Sequence, residues 1–89
     1  MRIIEGFKLR KLGKENIVIG ESAKLVNFNK MIVLNPTAAF LWENICGKDF
    51  STEYITTLLV DNYEVDYQTA AKDAAAIVDD WRSAGLIED

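Results

Sequence analysis

The chain lacks the residues on which most metal sites and many active sites depend. Among its 89 residues there is no histidine and only one cysteine, Cys46. Histidine is the commonest metal ligand and a frequent general base, and structural zinc sites are built from Cys and His. We therefore expect no metal and no other cofactor. A disulfide within the chain is excluded, which is typical of a protein from a reducing, cytoplasmic compartment.

Long apolar runs are missing as well. No apolar stretch follows the basic residue near the N-terminus, so a secretory signal is not expected. No run approaches the roughly 20 residues that cross a bilayer, so no membrane is expected as a partner. The 89 residues are few for more than one domain, but 49% of them are hydrophobic, which is enough for one core. The sequence predicts a single domain over residues 1–89.

No combination of side chains indicates catalysis. The serines have no histidine to activate them, and no glycine-rich phosphate loop is present. Asp79 and Asp80 are adjacent, and neighbours on a helix point about 100° apart, so they do not converge on one site. Cys46 is expected to be a small buried or half-buried hydrophobe rather than a reactive thiol. We therefore expect a protein that is not an enzyme.

The first third of the sequence predicts strands. Apolar and basic residues alternate over 7–10, with the period of two that is typical of a strand. Residues 13–16 predict a turn, and the β-branched run 17–19, which ends at Gly20, suits the return strand of a hairpin. Residues 28–34 predict a third strand. Together these segments indicate a small antiparallel sheet.

Helical signals follow the strands. Asn35 is a good N-cap and Pro36 fits the first turn of a helix, which Gly47 can end in the left-handed conformation. Ser51 is a good cap for a second helix. Apolar residues at helical spacing are Ala38, Leu41, Trp42 and Ile45 in the first helix and Ile55, Leu58, Leu59 and Tyr63 in the second.

A third helix is predicted over Tyr67–Ala84, with Asp66 as its cap. Its apolar stripe comprises Ala70, Ala74, Ile77, Val78 and Trp81. Gly85 after the helix predicts a Schellman motif, in which Leu86 contacts Trp81. A short break between the last two helices is typical of a helix-turn-helix. The predicted fold class is therefore α+β and winged-helix-like, a small three-stranded antiparallel sheet followed by three helices.

The distribution of charge bears on nucleic-acid binding. Residues 1–48 carry eight Lys or Arg and four Asp or Glu, a net charge of +4, whereas residues 49–89 carry two and ten, a net charge of −8. The segment 66–84, which would be a recognition helix, has a net charge of −2. DNA affinity rests largely on neutralising phosphates, so nucleic acid is not an expected partner. The asymmetry fits either an interaction surface or a solvated acidic face.

Residues 34–42 resemble a segment of the coenzyme PQQ synthesis protein D (PqqD) family. They read Leu-Asn-Pro-Thr-Ala-Ala-Phe-Leu-Trp, and the family shows Leu-Asn-x-Thr-Ala-Ala-x-Ile/Leu-Trp at its strand-to-helix junction. The resemblance covers roughly residues 28–87, and the hairpin before them carries no family motif. It continues through Gly47, Ser51, Ile55, Tyr63-Glu64-Val65-Asp66, Asp73, Ile77, Val78, Trp81 and Gly85-Leu86-Ile87.

This resemblance implies a recognition element for ribosomally made, post-translationally modified peptides. In such proteins the leader of a precursor peptide adds as a strand beside the third strand and lies against the third helix. The element presents the peptide to a modifying enzyme, often a radical S-adenosylmethionine protein, in the biosynthesis of PQQ or a related peptide-derived product. The implied peptide-binding residues are Asn29, Lys30, Met31, Ile32 and Val33 on the strand and Asp73, Ala76, Ile77 and Asp80 on the helix. Asp73 matches the family motif directly, and spacing alone places the other helix positions.

Other function classes fit the residues without the resemblance. The third strand also suits a plain core strand with a protected edge, and the fold suits an acidic winged-helix transcriptional regulator or a structural protein–protein interaction domain. An unpaired strand edge offers main-chain donors and acceptors to an extended peptide. The resemblance favours the docking of a peptide at this edge over the other interpretations.

Overall fold

The structure, a computed structural model, describes residues 1–21 and 31–89. The predicted α+β class is confirmed: a sheet of strand order β2-β3-β4 precedes three helices. Within the described ranges no helix is long and apolar enough to cross a membrane. The elements are β1 (Arg2–Ile3), β2 (Phe7–Leu12), β3 (Glu15–Gly20), β4 (Ile32–Leu34), α1 (Pro36–Ile45), α2 (Thr52–Asn62), α3 (Tyr67–Ser83) and β5 (Ile87–Glu88).

The β2–β3 hairpin has a tighter turn than predicted. Leu12 pairs with Glu15, so only Gly13 and Lys14 lie between the strands. The prediction of a turn over residues 13–16 is wrong for its second half, because Glu15 and Asn16 already belong to β3. Gly13 has a φ of 63°, which suits the first central position of a type II′ turn, whose twist matches that of the flanking strands.

The third strand of the sheet, β4, includes Ile32–Leu34 of the segment that was predicted as a strand. These are the residues that pair with β3. Met31 precedes the strand, and the remainder of the predicted segment 28–34 lies outside the described residues. Leu34 is buried in the core, whereas Val33 is 57% exposed. This alternation is the expected consequence of the period of two in a strand.

All three helices begin where their capping residues predict. In each case a side-chain oxygen accepts a hydrogen bond from a main-chain N–H in the first turn, which would otherwise lack a partner. The N–H of Ala38 donates to Asn35 Oδ1 at 2.8 Å, that of Tyr54 to Ser51 Oγ at 3.1 Å, and that of Thr69 to Asp66 Oδ2 at 3.4 Å.

The end of α1 corrects the expectation for Cys46. The helix stops at Ile45, and Lys48 donates its N–H to the Ile45 carbonyl at 3.1 Å. Cys46 is extended and Gly47 has a φ of 79°, the combination of a type II turn. The thiol of Cys46 is exposed, so its expected burial is wrong. The reason is that the chain leaves the helix before Cys46 can extend the apolar stripe.

Tyr63 also departs from its predicted place in a buried stripe. α2 ends at Asn62, and Tyr63 is 40% exposed. Its ring makes an edge contact with Phe40, with centroids 5.8 Å apart and an interplanar angle of 82°. Tyr63 therefore covers the side of α1 instead of entering the core.

The core lies where the helices pack against the inner face of the sheet. Trp42 of α1 and Trp81 of α3 are 1% and 4% exposed, and their rings meet edge-to-face with centroids 5.4 Å apart. This geometry is favourable for aromatic pairs. It confirms that both tryptophans, predicted on apolar stripes, belong to the core.

The C-terminal end of α3 forms the predicted Schellman motif. Gly85 has a φ of 81°, its N–H donates to the Arg82 carbonyl at 3.0 Å, and the Leu86 N–H donates to the Trp81 carbonyl at 2.9 Å. The chain then enters β5, in which Ile87 pairs with Ile3 of β1. No sequence pattern predicted this two-stranded ladder.

Replacing Gly85 with valine tests this helix end. No atom lies within 4 Å of a Cβ built at Gly85, so the cost arises from the positive φ alone. Left-handed conformation costs a residue with a Cβ about 1–2 kcal/mol, and a β-branched side chain resists it further. We expect Gly85→Val to lower the Tm by roughly 5–15 °C. Gly85→Asn, which tolerates this conformation, should retain most of the stability; equal melting of the valine variant and the wild type would contradict the assigned helix end.

Candidate functional site

β4 lies at one end of the sheet. Among the described residues, no strand pairs with the side of β4 that faces away from β3. An edge strand presents main-chain N–H and C=O groups on its outer side, which can pair with a further strand. Which residue presents them follows from the hydrogen-bond pattern of the hairpin.

In an antiparallel pair, successive residues direct their N–H and C=O alternately towards and away from the partner strand. Glu21 donates its N–H to the Gly6 carbonyl at 2.8 Å, so the odd-numbered residues of β3 bond towards β2. Its even-numbered residues, Asn16 and Val18, face β4, where they pair with Leu34 and Ile32. Val33, between these two, therefore directs its N–H and C=O towards the free edge.

α3 supplies a surface that begins beside this edge, at Ile77 and Asp80, and continues along α1 to Asp73 and Ala76. Asp73, Ala76, Ile77 and Asp80 are spaced at i, i+3, i+4 and i+7, so they share one face of the helix. Ile77 is half-buried and packs against the core, whereas the two aspartates and Ala76 are exposed. The face is thus apolar in the middle and acidic at both ends.

Two adjoining cavities form one groove along this face. A cavity of about 270 Å³ lies between β4 and the end of α3 that includes Asp80 and Ala84. A second, of about 350 Å³, lies between the start of α1 and the part of α3 that includes Asp73. Both are lined by Asn35, Ala38 and Ile77. We call the combined space the β4–α3 groove.

The groove brings together most of the residues that the sequence nominated. The structure places six of the nine along it: Ile32, Val33, Asp73, Ala76, Ile77 and Asp80. Met31 is 63% exposed and does not line either cavity. Asn29 and Lys30 lie outside the described residues.

Sequence reasoning missed the wall that α1 contributes. Asn35, Thr37 and Ala38 line the groove, although the sequence assigned Asn35 to capping and Ala38 to the core. Their presence in the Leu34–Trp42 motif was the available signal. Ala84 was also missed, and its spacing of four residues from Asp80 places it on the same helix face.

The charged side chains that the described residues place along the groove are both negative. They are Asp73, in one cavity, and Asp80, in the other. Neither carboxylate has an ion-pair partner in the part of the chain that the structure describes. The ion pairs that occur there lie elsewhere, as between Arg10 and Glu21 at 2.7 Å.

Asp66 fixes where α3 begins, and its titration reflects that role. A hydrogen bond from the Thr69 side chain lowers the pKa of Asp66 below its ordinary value. Desolvation opposes this effect, and the main-chain N–H groups of Thr69, Asp66 and Gln68 lower the pKa further. A carboxylate at a helix N-terminus is stabilised in its charged form by the free N–H groups and the helix dipole.

The chemistry available elsewhere is limited. A larger cavity, of about 590 Å³, lies at the α1–α2 connection and is lined by residues 48–51 and Tyr54. It contains none of the nominated residues. Across residues 1–21 and 31–89, no group of three or more Cys, Asp or Glu is placed to hold a metal ion.

The described residues form a winged-helix-like domain in which the outer edge of β4 and the third helix border one groove. The chain belongs to the coenzyme PQQ synthesis protein D (PqqD) family, whose model matches residues 16–87. The resemblance that the sequence indicated is therefore confirmed, and it extends into β3.

Two solved structures have the same fold. One is TbiB1 in complex with the TbiA(beta) leader peptide, with a TM-score of 0.78, 16% sequence identity, and coverage of 99% of this chain and 95% of that chain. The other is lasso peptide synthetase B1 complexed with the leader peptide, with a TM-score of 0.76, 19% identity, and coverage of 99% and 96%. No curated protein matches the chain.

The lowered pKa of Asp66 predicts how its contribution depends on pH. A carboxylate with a depressed pKa in the folded state stabilises that state above its unfolded pKa and loses the effect as pH falls through its folded pKa. Asp66→Asn keeps a capping oxygen but removes the charge. We expect the wild type to melt above Asp66→Asn at pH 7, and the difference to vanish near pH 2. A difference in Tm that is independent of pH would contradict the charged cap.

Proposed function

We propose that the chain binds the leader segment of a ribosomally made precursor peptide, in extended form, in the β4–α3 groove. One observation carries this proposal. The N–H and C=O of Val33 point outwards from the free edge of β4, and this edge lies next to the groove that α3 borders. An extended peptide placed there satisfies its own main chain by strand addition and its side chains in the groove. The leader peptides in both structural neighbours support the proposal.

In this proposal the protein holds a peptide substrate and does not modify it. The module presents the bound leader to a separate modifying enzyme, in the proposal a radical S-adenosylmethionine protein, in the biosynthesis of PQQ or a related peptide-derived product. Membership in the PqqD family supports that assignment. The same proposal includes three further points. Residues 1–89 form a single domain, the protein is cytoplasmic, and the chain itself catalyses no reaction.

β2 is the other terminal strand of the sheet, and it is the poorer receiver of a peptide. Its six residues include Lys8, Arg10 and Lys11, and charged side chains along an edge discourage the addition of a strand. The cavity at its start is lined by residues 2–8, Cys46 and Gly47, so it has no wall from α3. β4 instead presents the exposed, apolar Val33.

Proline at position 33 tests strand addition directly. Proline lacks the N–H that Val33 directs to the free edge, and an edge strand tolerates proline where that N–H faces outwards. We expect Val33→Pro to keep the wild-type circular dichroism spectrum but to weaken binding about tenfold or more, which is some 1.4 kcal/mol. The measurement is calorimetric titration with a synthetic leader of the precursor peptide encoded beside the chain's own gene.

Lys11→Pro is the matched control for this change. By the same alternation, Lys11 directs its N–H away from β3. This N–H lies on the outer edge of β2, at the opposite side of the sheet from Val33. The leader should bind this variant as it binds the wild type. Equal losses in both proline variants, or none in either, would contradict docking at β4. A wild-type protein that binds no leader, and is instead retained on mixed DNA at low salt, would overturn the proposed function in favour of a transcriptional regulator.

Ala76→Glu tests the helix side of the groove. Ala76 is exposed and lines the groove, so a glutamate fills and charges the site without disturbing the core. Binding of the same leader should weaken by about tenfold or more while the Tm stays close to that of the wild type. Charge substitutions at the exposed Asp61 and Glu88, which line neither cavity, should change affinity little. Undiminished affinity in Ala76→Glu would place the peptide elsewhere.

A further inference from the structure

The sequence preference of the β4–α3 groove can be deduced from its lining. Main-chain pairing along β4 is insensitive to most side chains of the incoming strand. Selectivity must therefore come from the side chains in the groove. These are apolar at the centre, where Ala38 and Ile77 are half-buried, and negatively charged where Asp73 and Asp80 project from α3.

The two aspartates are separated by a defined length. Seven residues of α-helix correspond to about 10.5 Å along the axis and almost two full turns, so Asp73 and Asp80 lie on one face with Ile77 between them. An extended strand advances about 3.3 Å per residue and alternates its faces. In such a strand, the residue two positions before a central residue and the residue two positions after it lie on the same face, about 13 Å apart. Lys and Arg side chains are long and flexible enough to span the difference from the distance of about 10.5 Å between the aspartates.

The two aspartates of the groove are exposed, so a ligand can reach their carboxylates. Neither aspartate is ion-paired within residues 1–21 and 31–89. Both lie beside apolar surface, where a bound strand excludes water and strengthens any ion pair. The half of the sequence to which they belong has a net charge of −8, and such a field attracts a cationic peptide.

We propose, on the basis of the proposed function, that the groove selects leaders with the pattern basic–x–apolar–x–basic. The central apolar side chain contacts Ile77 and Ala38. The flanking Lys or Arg side chains pair with Asp73 and Asp80, and the two x positions face away from α3. The ligand class is thus a cationic, extended peptide segment with one apolar anchor.

A display library of 15-residue random peptides tests this pattern with the full chain as bait. We expect the wild type to enrich peptides with Lys or Arg four residues apart around an apolar residue. The doubly substituted Asp73→Lys, Asp80→Lys protein should lose that enrichment and favour Asp or Glu at the same two positions. Asp79→Lys is the matched control, because Asp79 is exposed on the same helix but lines neither cavity, and it should select as the wild type does.

Affinities of the enriched peptides, measured by fluorescence anisotropy, complete the test. A selected peptide should lose tenfold or more in affinity for the doubly substituted protein and less than twofold for Asp79→Lys. Peptides that are enriched without basic residues, yet are blocked by Ala76→Glu, would overturn the charge pattern and leave the groove as the binding site. Enrichment of no peptide at all, together with no binding of the encoded leader, would overturn the proposed function itself.

Discussion

The contact between Trp42 and Trp81 is the interaction on which the rest of the structure depends. It sets α1 against α3 at a separation fixed by two buried rings whose centroids are 5.4 Å apart. The main chain of Trp81 also ends the helix, because its carbonyl accepts from Leu86 at 2.9 Å, and this reversal leads into the β1–β5 ladder. Trp81 further lines the cavity beside β4. The aromatic contact in the core and the groove at the surface therefore share one side chain, that of Trp81.

α3 serves two surfaces with two adjacent stripes. Ala70, Ala74, Val78 and Trp81 are buried in the core, and the neighbouring stripe from Asp73 to Asp80 borders the groove. Ile77 lies at the boundary and is half-buried, so it contributes to both. Packing of the buried stripe therefore also sets the position of the stripe that borders the groove. On the opposite wall, the Asn35 cap sets where α1 begins next to β4.

Sequence patterns anticipated the features that local physics determines. The three caps, the Schellman motif at Gly85 and the tryptophans of the core each depend on residues close together in the chain, and all are confirmed. The β1–β5 ladder was not anticipated, because two residues are too few to show a period of two. The contribution of α1 to the groove was likewise missed. Both features depend on which segments meet in space, which spacing along the chain does not show; for α1, the available signal was the Leu34–Trp42 motif.

In the proposed binding mode, the main chain of the peptide contributes affinity with little demand on its sequence. Strand addition at β4 orients an extended peptide, and a three-residue strand offers only a few hydrogen bonds, so the peptide can also be released. A short edge also limits pairing between copies of the protein. In the same proposal, discrimination depends on the side chains that line the groove: the apolar ones favour one anchor residue, and the two carboxylates disfavour acidic residues beside it. Like charges brought together in an interface oppose binding, so the groups proposed to attract basic peptides also oppose acidic ones.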